Sequence, residues 1–547
     1  MTTALTYRSL DETSNRLAHS LRQLGVCKGD RVAVSLGNCI EFAALTYAVF
    51  KLGAVLVPLN PSFNSFQVQA ALNHLSAKVL VIGAVTDLAY KPTHGRSNLS
   101  LLEDLVPNIH SINGQIQSER VPHLQHIVMV DNLAMHPDAA ASFATNLSAV
   151  TPFRELLTSS PVAVTPTEPL DANEVVNIQF TSGTTSMPKA AMLSHRAILN
   201  NGALIGNRMG LEPQDRIVVP PPLFHCFGSI LGYMACATSG SAILFPSPAF
   251  DPVASLKMCV EHEATGLYGV STMLIAMLDE LASGKVIKTI PKSLLKGIVA
   301  GSSVPESLMK VIYQKLGLRN LVICYGMTET APVSCMTTPN DAFEKRTGTV
   351  GRVMPHTSVK IVDPADSSRT LPIGQRGELL VAGYLVMKGY WDDKEHTEQV
   401  RVQDSDGTTW MHSGDEAEMD AEGFVKITGR IKDLIIRGGE NIHPLEIENC
   451  LLQHPDIMDA SVVGIPDDKY GECVAVFVIA RHGVKAPNRE SGTGEISDHE
   501  VRDWVRQRLS SHLVPKYVFW VEEYPKTASG KIQKYKLREE GKKLCGK

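Results

Sequence analysis

The feature that most constrains this chain is a β-rich run that ends in a loop of hydroxyls and glycine closed by a lysine. Val175-Val176-Asn177-Ile178-Gln179-Phe180 reads as a strand, and Thr181-Ser182-Gly183-Thr184-Thr185-Ser186-Met187-Pro188-Lys189 follows it without a break. Such a turn presents backbone N–H groups and side-chain hydroxyls to phosphate oxygens, and Lys189 adds a point charge. The loop is not a Walker A loop, because no G-x-x-x-x-G-K-[ST] occurs in the sequence. A Ser/Thr-rich turn can also be only a turn, so the loop is weighed with its company.

The surrounding chain reads as α/β. Ser9-Leu10-Asp11-Glu12 has the form of a capping box, followed by Leu17, Leu21 and Leu24 at helical spacing until Gly25. Arg31 to Leu36 is a short β-rich run, Glu41 to Leu52 a helical stretch, and Val55-Leu56-Val57 strand-like. This alternation predicts largely parallel sheets. Residues 90–172 read as long connections around a few short elements. Beyond Gly429-Arg430-Ile431-Lys432 a compact α+β unit is expected. In it Pro444 opens a helix carrying Ile447 and Leu451, and Ser497-Asp498-His499-Glu500 caps another. The predicted division is an N-terminal body over 1–430, built of two α/β sheets with helices plus a β subdomain, and a small mobile α+β domain over 431–547.

Composition narrows the function classes. The 52 Lys+Arg against 57 Asp+Glu leave a formal charge of −5, without the basic excess of a nucleic-acid binder. Any anionic ligand must be held by local groups. The ten cysteines form no C-x-x-C pair, which favours a reducing compartment. Arg8, Asp11, Glu12 and Arg16 stand where a secretory signal needs an apolar run, and Ile230 to Phe245 is short for a bilayer span. Arg16-Leu17 and Gln23-Leu24 fit a loose peroxisomal pattern, but the same leucines are needed for the helix core; Cys545-Gly546-Lys547 is not S-K-L. The expectation is a soluble intracellular protein, cytoplasmic first, with peroxisome and mitochondrion left open, and with monomer and homodimer both left open.

Other segments strengthen the phosphate loop. Leu321-Val322-Ile323-Cys324 is a second strand, ending in Tyr325-Gly326-Met327-Thr328-Glu329-Thr330, where open α/β sheets bind ligands. Glu329 suits Mg²⁺, a hard ion that prefers oxygen. Trp410-Met411-His412-Ser413-Gly414-Asp415 places an acid in a turn, Arg430 follows Thr428-Gly429, and Lys531 closes Thr527-Ala528-Ser529-Gly530. With Gly53-Ala54-Val55 through Pro61, Gly348-Thr349-Val350-Gly351-Arg352, Gly377-Glu378-Leu379 and Gly429 to Asp433, these blocks resemble the adenylate-forming superfamily of acyl-CoA synthetases, luciferase-like enzymes and adenylation domains. The resemblance runs from about Thr6 to Leu537. The closest look is to the medium-chain type called acyl-CoA synthetase family member two, and fungal acid–CoA ligases look similar.

That resemblance implies an ATP-dependent ligase that activates a carboxylic acid, medium-chain or aromatic and branched, and then transfers it to CoA. Thr181, Ser182, Gly183, Thr184, Thr185, Ser186 and Lys189 would wrap the ATP phosphates. Tyr325 would stack on adenine, bordered by Gly301, Ser302, Ser303, Gly326 and Met327. Thr328 and Glu329 would serve the α-phosphate and Mg²⁺, with Thr185 as a second metal ligand. Asp415 would take the ribose hydroxyls, and Arg430 the ribose or phosphate. Lys531 would bridge the carboxylate and α-phosphate, Lys432 would be the hinge, and Gly438, Gly439 and Glu440 would meet CoA. His225, Phe227, Thr272, Gly301 and Gly326 would form the acyl pocket, with His225 on the carboxylate side. Met273, Met277 and Leu278 are expected in the core by their helical spacing.

The family loop usually reads T-S-G-T-T-G-x-P-K-G; here Ser186 and Ala190 replace two glycines, and a Cβ at a φ > 0 position costs about 1 kcal/mol. Two other readings stay open. One is an adenylating enzyme that loads a carrier protein in trans; the other is a catalytically silent nucleotide-binding relative.

Overall fold

The structure, a computed structural model, describes residues 4–112, 114–140, 143, 147–181, 189–300, 306–481, 483–487, 494–526 and 532–546. The chain begins with α1 (Tyr7–Gln23) and α2 (Ile40–Lys51). The α1 cap is not at Ser9 as the sequence pattern predicts. The Thr6 side chain accepts from the Ser9 N–H at 3.1 Å, so the helix starts earlier and Ser9 lies in its first turn. Thr6 has the extended backbone that a cap needs, and it supplies the same hydroxyl three residues upstream. Leu17 and Leu21 are fully buried, as their spacing requires.

The first sheet holds β1 (Arg31–Ser35), β2 (Val55–Pro58), β3 (Val79–Gly83), β4 (His126–Val130), β5 (Val150–Pro152), β6 (Val175–Thr181) and β7 (Lys189–Ser194). Its order is β5-β4-β3-β1-β2-β6-β7. All neighbours are parallel except β6 and β7, which form a hairpin in register Thr181↔Lys189. Every residue of β2 and β3 is buried, the pattern of a sheet covered on both faces. The helix α3 (His195–Met209) leaves β7 at once, capped by Ser194.

The second sheet holds β8 (Arg216–Val218), β9 (Ala242–Leu244), β10 (Gly266–Gly269), β11 (Lys296–Val299), β12 (Asn320–Gly326), β13 (Val333–Met336) and β14 (Arg352–Val353). Its order is β9-β8-β10-β11-β12-β13-β14, parallel up to β12 and antiparallel beyond. The helix α4 (Ser271–Ser283) follows β10.

The third sheet is antiparallel: β15 (Thr357–Asp363), β16 (Asp366–Thr370), β17 (Gly377–Gly383), β18 (Arg401–Gln403), β19 (Thr409–Met419) and β20 (Val425–Arg430). Its order is β16-β15-β17-β19-β18, with β20 also on β19. Trp410 to Asp415, expected as a turn, is therefore strand. Gly414 at φ 69° and a register shift between Glu416 and Ala417 kink it there, and a bulge of this kind re-aims a side chain without ending the strand.

The fourth sheet lies wholly in the C-terminal unit: β21 (Ile435–Arg437), β22 (Glu440–Ile442), β23 (Ile457–Asp467), β24 (Gly471–Ala480) and β25 (Tyr517–Trp520), in the order β22-β21-β24-β23 with β25 on β24. With α5 (Pro444–Leu451) and α6 (Asp498–Arg508) it encloses its own apolar cluster, including Ile447, Leu451, Val462, Val476 and Val501. Ser497 and Glu500 form the predicted capping box of α6.

Candidate active site

The site is built around the carboxyl end of β12. Its last two residues, Tyr325 and Gly326, sit at a register shift against β13. A Cβ on Gly326 would stand 1.8 Å from the Pro332 carbonyl oxygen, so the close approach of the two strands requires glycine. Tyr325 Oη donates to Asp415 Oδ2 at 2.6 Å, and Arg430 Nε meets Asp415 Oδ1 at 3.1 Å. Asp415 is opposite Arg430 in the β19–β20 register, so the pair is fixed by strand pairing and the bulge. Burial, then the Asp415 carboxylate, pushes the Tyr325 phenol up, which keeps it a donor. Asp415 in turn raises the Arg430 guanidinium above its ordinary value. The Asp415 side chain is 10% exposed and that of Arg430 58% exposed. One face of the cluster is therefore open to a polar ligand.

Thr328 to Thr330 form a single 3-10 turn after β12. Glu329 is 7% exposed and accepts from Tyr390 Oη at 2.8 Å. No cation stands within 4 Å of its carboxylate among the described residues. Tyr390 was not picked out in the sequence. Its ring lies 5.2 Å below the Lys189 ammonium, the residue that opens β7. The segment around it is stitched to β7: Met192 N–H donates to Gly389 O at 3.0 Å and Trp391 N–H to Ala190 O at 2.8 Å. Ala190 is 1% exposed, extended and paired with Phe180, so the strain expected for alanine in place of glycine does not arise there.

An apolar cavity adjoins Thr328. It is lined by Pro221, Pro222, His225, Cys226, Phe227, Leu231, Val270, Met273, Ala300, Cys324, Gly326, Met327, Thr328, Pro332 and Val333. Of the expected acyl-pocket residues, His225, Phe227 and Gly326 line it. Thr272 does not; the helical turn at the start of α4 directs Met273 there instead. Met277 is fully buried in the core, as expected, and Met273 both packs in that core and faces the cavity. His225 Nδ1 accepts from the Phe227 N–H at 3.1 Å, which fixes the ring at the mouth of a helical segment. Cys226 Sγ lies 3.8 Å from Thr328 Oγ1, so the cavity wall and the β12 turn touch.

The other expected residues lie elsewhere. Lys432 is exposed in the Ile431–Asp433 turn between β20 and β21. Gly438 and Gly439, at φ 62° and 89°, make the two-residue turn of the β21–β22 hairpin, and Glu440 opens β22. Ser182, Gly183, Thr184, Thr185, Ser186, Gly301, Ser302, Ser303 and Lys531 lie outside the described residues. Thr181 and Lys189, which flank the phosphate loop, face each other across the hairpin.

The chain matches the AMP-binding enzyme family over residues 1–391 and the AMP-binding enzyme C-terminal domain over residues 446–531. It belongs to the AMP-binding enzyme family. It is 39% identical to an acyl-CoA ligase, SID4, of Ajellomyces capsulatus, covering 99% of this chain and 87% of that one. It is 33% identical to the mitochondrial medium-chain acyl-CoA ligase ACSF2 of Homo sapiens, covering 98% and 83%. Among solved structures, ATP-bound MatB from Rhodopseudomonas palustris superposes with a TM-score of 0.77 at 25% identity, covering 98% and 94%. The anthranilate CoA ligase AuaEII with anthranoyl-AMP shares the fold, with a TM-score of 0.80 at 23% identity over 99% and 93%. Among the described residues no helix is long and apolar enough to cross a membrane.

Proposed function

We propose that this enzyme is an ATP-dependent acid–CoA ligase. It joins an apolar monocarboxylic acid to AMP with loss of pyrophosphate, then passes the acyl group to CoA with release of AMP. The observation that carries the reading is the contact between two unlike surfaces. An apolar cavity meets, at Thr328, the turn that carries Glu329, one residue group away from the Tyr325–Asp415–Arg430 cluster. No Lys or Arg lines the cavity among the described residues, so a second carboxylate on the acid would find no Lys or Arg to pair with there. Names of relatives, acyl-CoA ligase and medium-chain acyl-CoA ligase, support the same class.

Each side chain then has a task. Adenylation brings two anions together, so charge must be screened and the acid held in line with the α-phosphate. Lys189 and the loop amides hold the phosphates, Asp415 accepts from the ribose hydroxyls, and Arg430, held by Asp415, faces ribose or phosphate. Tyr325 presents its ring to adenine, His225 borders the carboxylate, and Lys531 bridges carboxylate and α-phosphate. Magnesium fits Glu329: a buried carboxylate with no cation partner among the described residues is the hard oxygen donor that ion takes, with Thr185 as the second ligand. When bound, the ion neutralises phosphate charge. The C-terminal unit, from Ile431 onward, swings about Lys432 to replace Lys531 by Gly438, Gly439 and Glu440 at the site, which opens a way for the CoA thiol. An intracellular compartment supplying ATP and CoA suits this chemistry.

Pyrophosphate exchange across a panel of acids tests the reading. Exchange is expected with hexanoate, octanoate or benzoate and not with malonate, followed by AMP release on adding CoA. No exchange with any acid would refute it, and exchange without a CoA thioester would favour loading of a carrier protein.

A further inference from the structure

We propose that Tyr390 is a positioning residue that sets Glu329 and Lys189 in one rigid arrangement, its hydroxyl fixing the carboxylate and its ring seating the ammonium. The inference rests on the reading of Glu329 and Lys189 as ligands of the nucleotide and its metal. A glutamate side chain has three rotatable bonds, and among the described residues no cation partner chooses the rotamer of buried Glu329. The hydrogen bond from Tyr390 Oη to Oε1, at 2.8 Å, makes that choice and, among the described residues, leaves Oε2 for a ligand.

The tyrosine is itself held from three directions. Its N–H donates to Thr397 Oγ1 at 2.8 Å, its flanking residues pair with β7 through Met192 and Ala190, and the Met387 N–H donates to the Glu329 carbonyl at 2.9 Å. The strap from Met387 to Trp391 is thus bonded both to the backbone of Glu329 and to the strand that begins with Lys189. Lys189 Nζ above the ring, at 5.2 Å, closes the triad. Side chains that orient a metal-site carboxylate typically govern affinity by 10–100-fold.

The test is a double-mutant cycle read by metal binding without turnover. Mn²⁺ is titrated with ATP present and acid absent, and free Mn²⁺ is followed by electron paramagnetic resonance. Tyr390→Phe, which keeps the ring, is expected to raise the Mn²⁺ dissociation constant about 10-fold, to leave the KM for the acid unchanged and to leave Tm near that of the parent. In the Glu329→Ala background the same change is expected to have no further effect. Tyr390→Leu removes the ring too, and is expected to weaken ATP binding beyond the phenylalanine variant, a difference that vanishes in the Lys189→Ala background. Loss in Glu329→Ala without loss in Tyr390→Phe would overturn the proposal alone, as would equal losses from Tyr390→Phe in both backgrounds. Unchanged Mn²⁺ affinity in Glu329→Ala would overturn the underlying reading and the proposal with it.

Discussion

Asp415 holds two partners through separate oxygens, Tyr325 on Oδ2 and Arg430 on Oδ1. Removing it strips the proposed ribose acceptor and frees the guanidinium to turn into solvent. Hydrogen bonds to a charged group are worth about 1.5–3 kcal/mol, so Asp415→Ala is expected to raise the KM for ATP by roughly 10–100-fold in pyrophosphate exchange, with the KM for the acid nearly unchanged. A second residue carries a pH dependence. Asp459, on β23, is raised from an ordinary value of 3.8 to about 6, by burial against the opposing pull of Lys526. Between those values the folded chain keeps a proton that the unfolded chain has released, so stability falls as pH rises from about 4 to 6, and the loss persists above. Asp459→Asn removes the group. Its Tm is expected to exceed that of the parent at pH 7.5, by the equivalent of about 1–2 kcal/mol once partial exposure is allowed for, and to match it near pH 4.

At the scale of elements, the proposed CoA role of the β21–β22 hairpin can be tested apart from adenylation. A Cβ on Gly439 meets nothing within 4 Å, yet φ is 89°, so Gly439→Ala costs only backbone strain, about 1 kcal/mol. Pyrophosphate exchange is expected to stay unchanged while the KM for CoA in AMP release rises several-fold; a loss of exchange would show that the turn serves adenylation as well. The strand that leads into the phosphate loop and the strand that ends at Tyr325 were legible in the sequence because each is local. A strand and its terminal motif are contiguous, and glycines mark the turns. What escaped was set by pairing at long range. Tyr390 meets Glu329 across 61 positions, and its segment carries no periodic pattern. Trp410 to Asp415 looked like a turn because of Ser413-Gly414, whereas pairing with both β17 and β20 holds it as a kinked strand. Thr6 displaced Ser9 as the α1 cap for a subtler reason, since both hydroxyls were available and backbone conformation decided between them. Met273 in place of Thr272 at the cavity is a one-residue rotation of a helix that periodicity locates only approximately.

The whole molecule carries a net charge of −5, yet the proposed reaction takes two polyanions, so attraction falls to a few cations whose placement must change between half-reactions. The proposed swing would be concentrated in a short connection. Arg430 ends β20, Ile431–Asp433 form one 3-10 turn, and Ile435 begins the sheet of the C-terminal unit. Just beyond it, His443 Nδ1 stands 3.2 Å from Glu416 Oε2, an electrostatic approach rather than an aligned hydrogen bond, beside the Asp415 cluster. Lys432→Pro would remove the freedom that the proposed swing needs, because proline fixes φ near −65° and also restricts Ile431 before it. An arrangement trapped by about 3 kcal/mol loses the other one about 100-fold. The expected result is that one half-reaction, pyrophosphate exchange or acyl transfer from preformed acyl-adenylate to CoA, keeps most of its rate while the other falls by about that factor. Equal losses in both, at unchanged Tm, would mean that the connection at Lys432 does not act as a hinge.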